Sequence, residues 1–102
     1  MRKWSIKWSM AKYLLSDSQL RQMTPGNYHD GGGLYCVIRS QTSASWHLRY
    51  TVRGRPDAKR KKMGFGPYPT VTLARARELA DAARSMAAVG VDPAEERRVA
   101  VR

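Results

Sequence analysis

The chain reads as an α+β domain: a three-stranded antiparallel sheet packed against a C-terminal helix, with a short N-terminal helix before it. Three observations predict this. Residues 34–39, 46–51 and 60–65 alternate apolar and polar side chains as half-buried strands do. The turns between them are too short for the crossovers that parallel pairing needs. An alanine-rich stripe at helical spacing then supplies a cover for the bare apolar face.

The first residues admit two readings. Trp4, Ile6, Trp8 and Met10 alternate with Ser5, Lys7 and Ser9 as in a strand, yet Trp4 and Trp8 also share one face of a helix. Ser16 is a good N-cap and Asp17 favours the first turn, so a short helix is expected from Asp17 to about Met23, burying Leu20 and Met23 before Thr24-Pro25-Gly26 stops it. Asn27 to Gly33 reads as a turn-rich approach. Its run Asp30-Gly31-Gly32-Gly33 matches neither glycine pattern of phosphate-binding loops.

In the three strands Leu34, Cys36, Ile38, Trp46, Leu48, Tyr50, Met63 and Phe65 face inward, and Gly54-Arg55-Pro56-Asp57 is a hairpin loop. Gly66-Pro67-Tyr68-Pro69 is a stiff link in which Tyr68 has a structural role. Thr72 caps the long helix, Leu73, Ala76, Leu79, Ala80, Ala83 and Ala87 line its inner side, and Gly90 ends it. From Asp92 on, the chain reads as a polar tail without a second core.

Length allows one small domain in 102 residues, and 19 Lys plus Arg against 8 Asp plus Glu leave a net charge of +11. Such an excess favours nucleic acid or an anionic membrane as partner. No run approaches the roughly 18 apolar residues of a spanning helix, and membrane attachment through the first ten residues is the lesser option. Cys36 is the only cysteine, which excludes an intrachain disulfide and a thiolate zinc site and agrees with a cytoplasmic protein. His29 and His47 have no acid or nucleophile at a defined spacing, so no catalytic residue, metal or cofactor is expected.

The charge is concentrated: residues 39–62 hold eight Lys or Arg and one acid, Asp57. A twisted antiparallel sheet can enter a DNA major groove, so the outward side chains are candidate readers. The base-facing set is Tyr35, Val37, Arg39, His47, Arg49, Thr51, Arg60 and Lys62; Arg49 can reach guanine O6 and N7, and Thr51 or Val37 a thymine methyl. Arg53, Arg55, Lys59 and Lys61 sit on the hairpin rim, suited to phosphates. An RNA-binding module and a protein-interaction domain are the alternative readings. The first lacks an RNP-type aromatic signature, and the second would use the sheet edge or the Trp-rich start.

In order, the signals Leu15-Ser16-Asp17 with Leu20-Arg21, Asp30-Gly31-Gly32-Gly33-Leu34-Tyr35, Ser45 to Tyr50, Met63 to Pro69, Val71 to Arg77 and Ala87 to Pro93 resemble the N-terminal arm-type DNA-binding domain of phage and genomic-island tyrosine recombinases, or integrases. The resemblance implies a noncatalytic, sequence-specific module whose exposed sheet face reads arm sites flanking the recombination core in double-stranded DNA. It further implies separate core-binding and catalytic domains as partners in the parent integrase. On that reading residues 1–14 are a basic extension, 15–91 the arm-binding domain and 92–102 the start of a linker. Cys36 departs from the pattern by replacing an aliphatic residue, and the segment before Leu15 is longer than usual.

Overall fold

A computed structural model describes residues 13–54 and 60–101 of the chain. The readings of Trp4 and Trp8, and of Arg55 and Lys59, therefore lie outside the described residues.

Helix α1 spans Asp17–Arg21. Ser16 caps it in a reciprocal box, taking a hydrogen bond from the Gln19 amide while the Gln19 side chain accepts from the Ser16 amide. This helix is shorter than expected because Met23 adopts a positive φ of 53°. Leu20 is fully buried and Met23 packs against the core.

The sheet has four strands rather than three: β1 Gly26–Gly31, β2 Leu34–Ser40, β3 Ser43–Tyr50 and β4 Lys61–Pro67, antiparallel and in sequence order. The segment expected to be a turn-rich approach is thus an edge strand. Its inward positions hold no aliphatic residue, which is why alternation did not reveal it: Tyr28 packs on the core margin, and the other inward residue is Asp30.

Asp30 is 1% exposed, and a buried carboxylate is tolerated only when paired and hydrogen-bonded. Both conditions are met. Arg77 grips it with two bonds, Nε to Oδ2 at 2.9 Å and Nη2 to Oδ1 at 2.8 Å, while the Leu15 amide donates to Oδ1 at 2.8 Å. Arg77 Nη2 also donates to the Leu15 carbonyl. One ion pair therefore ties the N-terminal segment, the edge strand and the long helix together.

The β1–β2 turn needs its glycines. Gly32 and Gly33 have φ of 64° and 90°, and a Cβ on Gly33 would run into the Arg49 carbonyl.

The core lies between the sheet and helix α2, Leu73–Ala88. Thr72 caps α2 as expected, and Leu73, Ala76, Ala80, Ala83 and Ala87 face the strands. Against these small residues lies Trp46, whose indole N–H donates to the Val71 carbonyl at 2.8 Å and whose ring meets Tyr68 edge-on at 6.1 Å. Tyr68 is accordingly structural. Cys36 is fully buried, and burial pushes its thiol up to about 11.

The polar tail expected after Asp92 is bound to the fold. Helix α3 spans Pro93–Val101, and Asp92 is its cap, accepting from the Ala94 amide. Asp92 is also buried, taking a 2.7 Å bond from the Tyr50 hydroxyl and a 2.6 Å ion pair from Lys61. Burial alone would raise its pKa. The bonds from Lys61, Tyr50 and Ala94 outweigh that and hold it at about 2. At the edge of β4, Arg97 covers the Gly64 carbonyl with a 2.6 Å bond.

Three outcomes are expected. Arg77→Met should cost about 3 kcal/mol in urea unfolding, because it strands a buried carboxylate; an unchanged midpoint would remove the pair from its central position. Ala80→Leu should destabilise by about 1–3 kcal/mol through overpacking at a fully buried site. The third concerns pH: the folded pKa of Asp92 lies below the unfolded value of about 3.9, so its stabilisation is complete above that value and fades as pH falls toward the folded one. Asp92→Asn should flatten the decline of melting temperature between those two limits.

Candidate nucleic-acid interface

The side of the sheet away from α2 carries one continuous row across all four strands. Pairing places His29 opposite Tyr35, Tyr35 opposite His47, and His47 opposite Gly64. The rings lie 5.2 Å and 5.5 Å apart, both tilted by 30°. Toward the β2–β3 turn lie Asn27, Val37, Ser45 and then Arg39; toward the opposite end lie the cross-strand partners Arg49 and Lys62. An aromatic band thus separates cations along the strand direction.

Of the twelve candidate residues, Arg55 and Lys59 fall outside the described residues, and the structure places the other ten. Arg39, Arg49 and Lys62 are exposed on the outer face, with Val37 and His47 half-buried among them. Thr51 and Arg60 are exposed too, but they lie just beyond the ends of β3 and β4.

Tyr35 departs from expectation. It points outward yet is only 4% exposed, because His29 and His47 flank it and the Arg49 guanidinium lies 5.0 Å over its ring. Alternation identified its face but not its cover, since His29 belongs to the strand that alternation missed. Tyr35 supports Arg49 from beneath.

His47 shares a 3.0 Å hydrogen bond with Ser45. Burial, followed by the charges of Lys62 and Arg39, lowers its pKa from the usual histidine value, which favours the neutral ring. A neutral imidazole both donates and accepts hydrogen bonds.

The rim assignments change more. Lys61 pairs with Asp92 at 2.6 Å while its side chain remains 46% exposed. Arg53 has an exposed side chain, but its backbone N–H donates to the Ala87 carbonyl, which holds it against the end of α2.

Among the described residues the carboxylates keep away from the outer face of the sheet. Of the eight acids in the chain, Asp57 is not described; Asp30 and Asp92 are buried, and Asp17, Glu78, Asp81, Glu95 and Glu96 stand on helices. Among the described residues no carboxylate faces outward from the sheet.

Two concavities flank this arrangement. One, of about 370 Å³, opens at the Arg49 end of the outer face and is lined by His29, Gly32, Gly33, Arg49, Tyr50, Thr51 and Arg60. The other, of about 320 Å³, is an apolar groove among β4, α2 and α3, with Phe65, Leu79 and Met86 in its walls. Among the described residues no group of three or more His, Cys, Asp or Glu could hold a metal ion.

The chain is 42% identical over 64 residues to the integrase of Enterobacteria phage P4, covering 63% of this chain and 14% of that protein. It is 36% identical over 93 residues to the prophage integrase IntA of Escherichia coli (strain K12), covering 86% of this chain and 22% of that protein. The integrase of Shigella phage Sf6 is 38% identical over 69 residues, covering 68% of this chain and 17% of its own length. The chain thus spans less than a quarter of each of these relatives. The family described as arm DNA-binding domain matches residues 15–100. Because that match runs from before α1 into the last turns of α3, it takes in every element of the fold, and the chain belongs to the arm DNA-binding domain family.

Proposed function

We propose that this domain is a noncatalytic, sequence-specific reader of double-stranded DNA that positions an integrase on arm-type sites for recombination. The observation that carries this reading is the one-sided charge: Arg39, Arg49 and Lys62 are exposed on a sheet face from which carboxylates are absent among the described residues. Such a surface draws a polyanion toward it and orients the encounter.

Reading is assigned to the middle of that face. Arg39 and Lys62 suit guanine O6 and N7, Val37 suits a thymine methyl, and His47 suits either a donor or an acceptor on a base edge. Tyr35 is withdrawn from direct reading and becomes the support of Arg49. That same burial argues against a single-stranded RNA reader, which needs an open aromatic platform.

The integrase relatives are several times longer than this chain. Strand cleavage and rejoining are therefore assigned to core-binding and catalytic domains of a parent integrase, acting in the cytoplasm where the DNA lies. Among the described residues no helix is long and apolar enough to cross a membrane.

Selection of bound duplexes from a randomised library should yield a defined motif for the wild-type chain. Lys62→Ala and Arg39→Ala should each relax preference at one or two positions, by about 1–3 kcal/mol per base pair. Arg75→Ala, on the exposed side of α2, should leave the motif intact. Equal enrichment of all sequences by the wild-type chain would refute specific reading.

A further inference from the structure

We infer that the cationic concavity at the Arg49 end of the outer face is a seat for one backbone phosphate of the bound DNA, with Arg60 and Arg49 as its charges and Thr51 as a hydroxyl donor. This deepens the DNA-binding reading and rests on it. It also moves Arg49, Thr51 and Arg60 from the base-facing set, where strand alternation put them, to the phosphate-facing one.

The seat is assembled from three places in the chain. The β1–β2 turn brings Gly32 and Gly33, the end of β3 brings Arg49 and Thr51, and the approach to β4 brings Arg60. Its volume of about 370 Å³ exceeds what one side chain would fill, and among the described residues no carboxylate lines it. Two guanidiniums beside a concavity without a counter-ion side chain call for an anion, and the guanidinium fork matches phosphate oxygens. The glycines keep the floor low: Gly33 carries φ 90° and leaves no room for a Cβ beside the Arg49 carbonyl, so the backbone itself forms the wall and an approaching strand meets no side chain there.

Position on the sheet selects the kind of phosphate. Strand β3 has eight residues, about 27 Å at roughly 3.4 Å per residue, whereas a major groove is about 12 Å wide. A straight strand of that length outruns the groove. Side chains at its middle meet base edges while its ends lie over the phosphate walls, and Arg49, Thr51 and Arg60 are at such an end. Lys61, the neighbouring cation, is paired with Asp92.

The test uses the full chain and two 20-base-pair duplexes of different mixed sequence, with affinity read by fluorescence anisotropy from 50 to 200 mM salt. Each phosphate contact contributes about 0.9 to the slope of log affinity against log salt, or about a three- to fourfold loss over that range. Arg60→Gln should lower the slope by about that amount, weaken both duplexes equally, and leave the circular dichroism unchanged; Arg75→Gln should lower neither. If both duplexes bind and Arg60→Gln keeps the full slope, the phosphate seat is wrong while DNA binding stands. If Arg60→Gln weakens one duplex much more than the other, Arg60 reads bases and the seat is again wrong. If neither duplex binds, the DNA reading itself fails and takes the seat with it. A parallel titration with inorganic phosphate at constant ionic strength, followed by amide shifts at Gly32, Gly33 and Thr51, separates the sources: saturation at micromolar phosphate would make this a free-phosphate site and overturn the assignment.

Discussion

The fold depends on one buried ion pair. Asp30 has almost no access to water, and it is held by both nitrogens of the Arg77 fork and by the Leu15 amide. Strand β1 brings little apolar surface of its own: it consists of Gly26, Asn27, Tyr28, His29, Asp30 and Gly31. Its place in the sheet therefore rests on a charge pair and ladder bonds more than on apolar burial. What β1 contributes in return is His29, which with His47 and Arg49 covers Tyr35 and so fixes how the outer face is presented.

A second constraint follows from where the acids are used. Asp30 and Asp92 are enclosed in the structure, Asp81 pairs with Arg84 and accepts from Tyr13, and Glu78 pairs with Arg75. These partnerships neutralise cations on the helix side and in the core. Among the described residues the outer sheet face keeps Arg39, Arg49 and Lys62 and no carboxylate, so its field has one sign. A net charge distributed evenly would attract DNA without orienting it; here the field lies on the face proposed to read it.

Much of this was legible in the sequence because it is written in simple periods. The alternation of Trp46, Leu48 and Tyr50 and the alanine stripe of α2 each serve a single apolar face, and the structure buries them as expected. Asp30 was not legible in this way: its partner is 47 residues away on a helix, and a carboxylate before three glycines reads as a turn. Strand β1 was hidden for the same reason. The polar composition after Asp92 likewise concealed a capped helix whose anchor is a long-range bond to Tyr50 and Lys61. Patterns report local periods; pairs of opposite charge made across the fold leave no period to find. In the interface, the face of Tyr35 could be read from alternation but its burial could not, since burial required the missed strand.

The anchor at Asp92 has a mechanical meaning. Tyr50 directly follows Arg49 in β3, and Lys61 directly precedes Lys62 in β4. The two bonds that hold the start of α3 therefore end one residue away from two of the exposed cations of the outer face. The start of α3 is thereby fastened through Asp92 to both strands, with the Arg97 bond to Gly64 as a second strut on β4. The helix and the outer face therefore share the same two strands as their footing, and a variant that cuts the Asp92 anchor disturbs both.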